Sequence, residues 1–304
     1  MWLFFAFLSA ALLGFYDVFK KRSLRDNAVI PVLLLNTGIC SAFFLPLMVA
    51  SAGGFLPSAS RYFIPSGDLS SHTYIVVKSL IVLSSWLCGY LAMKHLPLTI
   101  VGPVNATRPV MTLVGALLIF GERLNGWQWA GVTLAVVSFF LLSRSGKKEG
   151  IRFSRNRWIY FLLAAALLGS LSGLYDKYLM ASVSEGGAGL NRMFVQSWYN
   201  LYQLLMMAGV YLAFRKSVRR QSFEWRWSIL FISVFLTLAD LSYFYALSLP
   251  GVMIALVSMV RRSSVLVSFL FGALVFREKN LREKAVDLLL VLLGMVCLYV
   301  GTLT

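Results

Sequence analysis

Ten apolar stretches, separated by short polar breaks, organise the chain. In the first half they cover residues 2–19, 29–51, 74–92, 98–120 and 127–142, and in the second half residues 159–180, 194–214, 227–247, 252–276 and 285–302. Most approach the ~20 residues that a helix rising 1.5 Å per residue needs to cross ~30 Å of hydrocarbon. The pattern predicts an all-α integral membrane protein with ten transmembrane helices. The first stretch has a weak small-residue site at Ser9-Ala10-Ala11 but no basic side chain ahead of it, so it is expected to stay as a helix rather than be removed as a leader.

The two halves repeat one another. Gly14-Phe15-Tyr16-Asp17 reappears as Gly173-Leu174-Tyr175-Asp176, each near the end of the opening helix of its half. His95-Leu96-Pro97 corresponds to Ser248-Leu249-Pro250 at the turn between the third and fourth helices, with Tyr90 and Tyr243 in register upstream. Phe120-Gly121-Glu122-Arg123 corresponds, with a shift of a few residues, to Phe276-Arg277-Glu278-Lys279. These matches divide the chain into a five-helix repeat over residues 1–145, a basic linker over 146–157 and a second five-helix repeat over 158–304. Five is odd, so the second copy enters the membrane from the opposite side, which makes two inverted repeats. Such repeats build transporters whose substrate site lies at the repeat interface near the midplane.

Composition removes the soluble alternative. Of 304 residues, 59% are hydrophobic and 13% charged, where a soluble domain carries about 25% charged residues. The mean hydropathy is +0.77. The net charge of +16 would suit nucleic acid in a soluble protein, but here twenty of the 28 Lys and Arg fall in the first, third, fifth, seventh and ninth connections. By the positive-inside rule these connections are cytoplasmic, so both termini are expected outside and nucleic acid is not an expected partner. The Gly- and Ser-rich segment 51–71 then becomes the largest external connection. Cys40, Cys88 and Cys297 each lie alone in an apolar run, without metal-ligand or redox spacing.

The residues around the third to fifth helices carry a resemblance. Leu96-Pro97-Leu98, Asn105-Ala106-Thr107-Arg108-Pro109, Phe120-Gly121-Glu122-Arg123-Leu124 and the run from Trp127 to Gly131 resemble the EamA repeat of the drug/metabolite transporter superfamily. Two copies would cover almost the whole chain. The second copy departs from the pattern at Arg277 and Asn280 and has no proline matching Pro109. The resemblance implies a transporter, and it implies cytoplasmic termini, opposite to the loop charge.

Polar residues inside a membrane are costly and point to function. Arg108 lies midway along the fourth helix, and Arg261 and Arg262 lie midway along the ninth, the equivalent helix of the other repeat. Neighbouring residues on a helix differ by about 100°, so one of the pair is expected to meet the cavity and the other a fixed carboxylate. Asp240, midway along the eighth helix, is the natural counter-ion, with Asp17 and Asp176 nearer the two ends. Guanidinium groups so placed suit a carboxylate or phosphate, which their planar fork grips at two points, while the plainer alternative is a set of structural ion pairs. Asn105, Thr107 and Ser258 lie within about a turn of the arginines and can hydrogen-bond a substrate or join helices. Trp86 and Tyr243 can line a site or serve as packing. Lys20 and Lys21 can point into a pore or belong to a charged loop.

Enzymatic signatures are missing. The two histidines, His72 and His95, stand far apart, and no His-Glu-x-x-His, Gly-x-Ser-x-Gly or Gly-Lys-Ser/Thr run occurs. No metal and no cofactor is expected. The sequence therefore predicts a secondary transporter of the inner (plasma) membrane, monomeric or homodimeric, moving a small anionic or zwitterionic metabolite by alternating access. The alternatives are an exporter of neutral or aromatic amino acids or drugs, and a lipid or lipid-linked sugar flippase.

Overall fold

The computed structural model describes residues 2–108, 110–111, 125–148, 153–218, 220–247, 249, 257, 260–276 and 281–303. Every regular element among them is helical. In chain order they are α1 (Trp2–Leu24), α2 (Val29–Ala52), α3 (Leu69–His95), α4 (Leu98–Ala106), α5 (Gly126–Lys148), α6 (Arg157–Met180), α7 (Arg192–Ala213), α8 (Trp227–Leu247), α9 (Ser264–Leu274) and α10 (Leu281–Leu303). Short turns of helix at Val183–Glu185 and Arg215–Val218 flank α7. Among the described residues six helices, α1, α2, α3, α6, α8 and α10, are long and apolar enough to cross a membrane.

The helices outrun the apolar stretches that predict them. α1 continues past Phe19 to Leu24, α3 begins at Leu69 rather than Tyr74, and α10 begins at Leu281 rather than Ala285. Hydropathy marks only the part of a helix that sits in hydrocarbon, whereas backbone hydrogen bonding carries the helix on until a capping residue stops it. At α3 that residue is Asp68, whose carboxylate accepts the Ser71 N–H at 3.0 Å and the Ser70 hydroxyl at 2.5 Å. At its other end α3 stops before Pro97, which opens α4. Cations near the connections cap helix C-termini: Lys21 at the end of α1 donates to the carbonyls of Met93 and Leu96, and Arg226 just ahead of α8 donates to those of Arg22 and Arg25.

Packing partners follow a reciprocal scheme. α1 lies against α8 and α3 against α6, while α2 meets α7, α4 meets α9 and α5 meets α10. Serine-to-carbonyl bonds tie these pairs together: Ser9 to Ala239, Ser85 to Ala165, Ser41 to Asn200 and Ser138 to Asp287, all at 2.6 to 2.9 Å. Without water to compete, small polar side chains can join helices in this way. Small residues also bring α9 close. A Cβ on Gly102 of α4 would stand 2.7 Å from Val265 Cγ2, and one on Gly14 of α1 would stand 2.9 Å from the Ser264 carbonyl. The glycines let α1 and α4 grip α9 and so fix the residues just ahead of it.

Two consequences can be measured. Gly102→Ala should lower stability by about 1–3 kcal/mol through overpacking, with Val265→Ala restoring most of it in the double variant. Thermal unfolding of the four proteins in detergent tests this, and an unchanged melting temperature for Gly102→Ala would refute the close approach. The serine hydroxyls hold the Asp68 carboxyl down to about 2. Its contribution to the first turn of α3 is therefore complete above the ordinary carboxylate value of ~3.9 and disappears as pH falls towards 2. Hydrogen exchange in that turn should be faster in Asp68→Ala than in wild type at pH 6, with the difference gone near pH 2.

Candidate functional site

α1, α3, α4, α6, α7 and α8, with the segment just ahead of α9, surround a cavity of about 190 Å³. Its charged lining is unusual for a membrane interior. Asp17, Asp176 and Asp240 face it with Lys20, Lys78, Arg108, Arg261 and Arg262.

Each carboxylate has a cation. Lys20 Nζ lies 2.8 Å from Asp17 Oδ1, one turn away on α1, and 4.4 Å from the centre of the Tyr16 ring. Lys78 of α3 pairs with Asp176 of α6. Arg261 pairs with Asp240 of α8, lies 4.2 Å from the Tyr243 ring centre, and shares its carboxylate with the Tyr199 hydroxyl, which donates at 2.7 Å. Oppositely charged neighbours and ring faces replace the water these groups have lost.

The pairs stand at different heights. Lys78 lies near one end of α3, and Lys20 approaches Tyr90 near the other, with Nζ 5.2 Å from the ring centre. Residues 78 and 90 are twelve positions apart, about 18 Å along the helix axis. Between them Ser85 of α3 and Arg108 both donate to the carbonyl of Ala165, at 2.8 and 3.3 Å. Arg108 therefore sits in the middle of the cavity, one lysine–aspartate pair on either side.

Arg108 and Arg262 have no carboxylate partner among the described residues. The guanidinium of Arg108 rests on Gly169, where a Cβ would come within 2.6 Å of Nη1, and its Nε is buried without a hydrogen-bond acceptor. Arg262 lines the same cavity and lies within the electrostatic reach of Arg108 and Arg261. Asn105 also lines it, with a buried Oδ1 that has no donor. Trp86 and Tyr243 contribute aromatic wall. Thr107 turns away, its hydroxyl donating to the Val104 carbonyl at 2.7 Å. Ser258 lies outside the described residues, as do Glu122 and Arg123 of the EamA-like stretch.

Sequence reasoning passed over Lys78, Tyr199 and Gly169. Lys78 carried a legible signal, a lone charge inside the third apolar stretch. Tyr199 and Gly169 carried none, because a buried tyrosine and a helical glycine read as packing.

Residues 1–144 match the EamA-like transporter family. The match covers just under half of the chain. An uncharacterized transporter of Pseudomonas aeruginosa is 27% identical over 131 residues, 41% of this chain and 42% of that protein. An uncharacterized transporter from the cobO 3′ region of a Sinorhizobium species is 24% identical over 144 residues, 47% of this chain and 96% of that protein. The matches thus span less than half of the Pseudomonas relative and nearly all of the Sinorhizobium one. A solved crystal structure, 15% identical, aligns over 98% of this chain and 96% of its own with a TM-score of 0.61, and so shares the fold. The family is one of transporters, and together with the apolar helices it makes this a multi-pass membrane protein. The EamA-like half supplies Asp17, Lys20, Lys78, Asn105 and Arg108 to the cavity, while the remaining charges come from beyond the matched residues.

Asp240 provides a test of the electrostatics. Asp240→Asn would leave Arg261 buried without its counter-charge, a change worth about 3–5 kcal/mol of destabilisation. Asp240→Asn combined with Arg261→Met should recover much of the loss, because neither charge then remains. Unfolding of both variants in detergent decides it, and a single variant as stable as wild type would show that the pair is dispensable.

Proposed function

We propose that the protein is a secondary transporter that carries a small anion through the arginine-lined cavity by alternating access. The observation that carries this reading is the charge of the cavity. Five cationic side chains face three carboxylates among the described residues, and the two arginines left over, Arg108 and Arg262, sit where water is scarce. A buried cation without a partner is expensive, and such charges in membrane proteins mark substrate and ion pathways. An anionic group seated between the two guanidiniums would relieve the cost, and their donors suit carboxylate or phosphate.

Cavity size supports a metabolite over a drug. At about 190 Å³ it falls below the 300–1,000 Å³ of drug-sized pockets. Asn105 Oδ1 offers an acceptor for a hydroxyl or amino group on the same molecule. A zwitterion fits less well, because its positive end finds the nearby carboxylates already paired.

Alternating access draws support from the packing. The first helix of each half lies against the third of the other, and second, fourth and fifth helices meet their counterparts. Reciprocity of this kind is what two inverted five-helix repeats, residues 1–145 and 158–304 joined by the linker 146–157, would produce. The residue-by-residue likeness of the Tyr-Asp pairs at 16–17 and 175–176 agrees. We assign the protein to the inner (plasma) membrane, with the basic connections in the cytoplasm and both termini outside. Lys20 and Lys284 do not belong in that loop count, since one lines the cavity and the other is buried beside Thr99, yet the remaining basic residues still favour the same side.

The test is transport itself. Arg108→Gln should abolish anion uptake into proteoliposomes while the variant still reaches the membrane folded. A thermal-shift screen of the wild type against organic acids, phosphorylated metabolites, amino acids and hydrophobic cations names the cargo, since a ligand at 100 times its Kd stabilises by about 2.7 kcal/mol. Stabilisation by neutral or cationic compounds alone, or normal uptake by Arg108→Gln, would overturn the reading.

A further inference from the structure

We infer that the cargo carries two negative charges, and that the number of charges it carries is set by the two unpaired arginines. This rests on the anion reading above and deepens it.

Asp17, Asp176 and Asp240 are each paired with one cation, so the three pairs are close to neutral and leave Arg108 and Arg262 without a carboxylate at pairing distance among the described residues. Those two positive charges are the whole surplus of the cavity among the described residues. A monoanion would neutralise one of them and leave the other desolvated when the cavity closes. A dianion neutralises both, and the occluded complex then holds no net charge in the low-dielectric interior. A trianion would exceed the two cations that lack a carboxylate among the described residues.

The geometry restricts the dianion to a short one. Lys78 and Tyr90, which lie beside the two lysine–aspartate pairs, are about 18 Å apart along α3, and Arg108 stands between those heights beside Ser85. Arg108, just after α4, and Arg262, just ahead of α9, line the same cavity within electrostatic reach of each other, so the two negative charges must lie close together. Short dicarboxylates and phosphate monoesters share this chemistry. Asn105 Oδ1 would accept from a hydroxyl on the same molecule, a role that no donor fills among the described residues.

Lys20 and Lys78 do not alter the count. Each has its aspartate, and each also faces a ring: Lys20 faces Tyr16 and Tyr90, and Lys78 lies 5.1 Å from the centre of Tyr199. These cations are held in place rather than offered.

Matched ligands test the charge number directly. The purified full-length protein, in detergent at pH 8, is titrated with two pairs that differ by one charge: succinate with its monoamide succinamate, and glycerol 3-phosphate with its methyl ester. Dissociation constants are read from thermal shift. The dianion of at least one pair should bind tenfold or more tightly than its monoanionic partner, and the pair that responds tells a carboxylate cargo from a phosphate one. Arg262→Gln leaves one surplus charge, so in that variant the preference should shrink to threefold or less or reverse. A variant that merely loosened the fold would weaken both members of a pair equally and keep the ratio, which would overturn the inference. Equal binding of monoanion and dianion by the wild type would also overturn it, while leaving an anion carrier standing. If none of the four anions binds, the inference and the anion reading fail together. Should Arg262→Gln not fold, Arg108→Lys, which keeps the charge, must retain the dianion preference. Its loss would show that the count is not what matters.

Discussion

Stripping a charged side chain of water inside a membrane costs several kcal/mol unless another charge or a fan of hydrogen bonds replaces the solvent. The centre of this protein is arranged around that constraint. Asp17, Asp176 and Asp240 each meet a cation, and the cations that also face aromatic rings gain from the ring quadrupoles. Replacing each pair with apolar residues would cost the fold little or nothing. Their presence is therefore better explained by what they leave unpaired than by what they stabilise. With every carboxylate that lines the cavity paired, Arg108 and Arg262 have no counter-ion among the described residues.

The helices hold this arrangement through contacts that leave little room for adjustment. Gly14 lets the backbone of α9 approach α1 and Gly102 lets Val265 of α9 press on α4, which brings Arg261 and Arg262 to the cavity that Arg108, just after α4, also lines. Ser85 and Arg108 share the Ala165 carbonyl, so the height of the central arginine is set by the packing of α3 on α6. Gly169 makes the approach possible, because any side chain there would occupy the space of the guanidinium. Stability and site geometry rest on the same small residues, as expected where lipid gives helices no hydrophobic reason to associate.

Much of this is legible in the chain itself, and the rest is not for identifiable reasons. Apolar stretches and lone intramembrane charges directed attention to Arg108, Arg261, Arg262, Asp17, Asp176 and Asp240, all of which line the cavity. Helix ends were misjudged because hydropathy stops at the lipid boundary and the helix does not. For that reason Lys20 and Lys284 read as loop charges although one faces the cavity and the other is buried. Which arginine of the 261–262 pair meets a carboxylate depends on rotation about the helix axis, which no sequence spacing fixes. Gly169 shows the limit most clearly, since its meaning lies in a guanidinium 61 positions away that rests where a Cβ would be.

The two Tyr-Asp motifs differ in a way that constrains how the protein can move. Asp17 takes its cation from Lys20 on the same helix, so that pair travels with α1 whatever its neighbours do. Asp176 takes its cation from Lys78 across the α3–α6 contact, which Ser85 also bridges. Separating α3 from α6 would expose two desolvated charges and a carbonyl at once. α1 is fastened to α8 in a comparable manner, by Ser9 on Ala239 and by Ser23 on Ser228. A carrier that rocks between two sides must then move α1 with α8 as one body and α3 with α6 as another. On the proposed alternating-access reading, the sliding surface would fall between these bodies, along the cavity lined by Arg108 and Arg262. Lys21 of α1 is also bonded to the carbonyls of Met93 and Leu96 at the end of α3, so that fastening would have to give as the bodies move, while an anion between Arg108 and Arg262 could replace it.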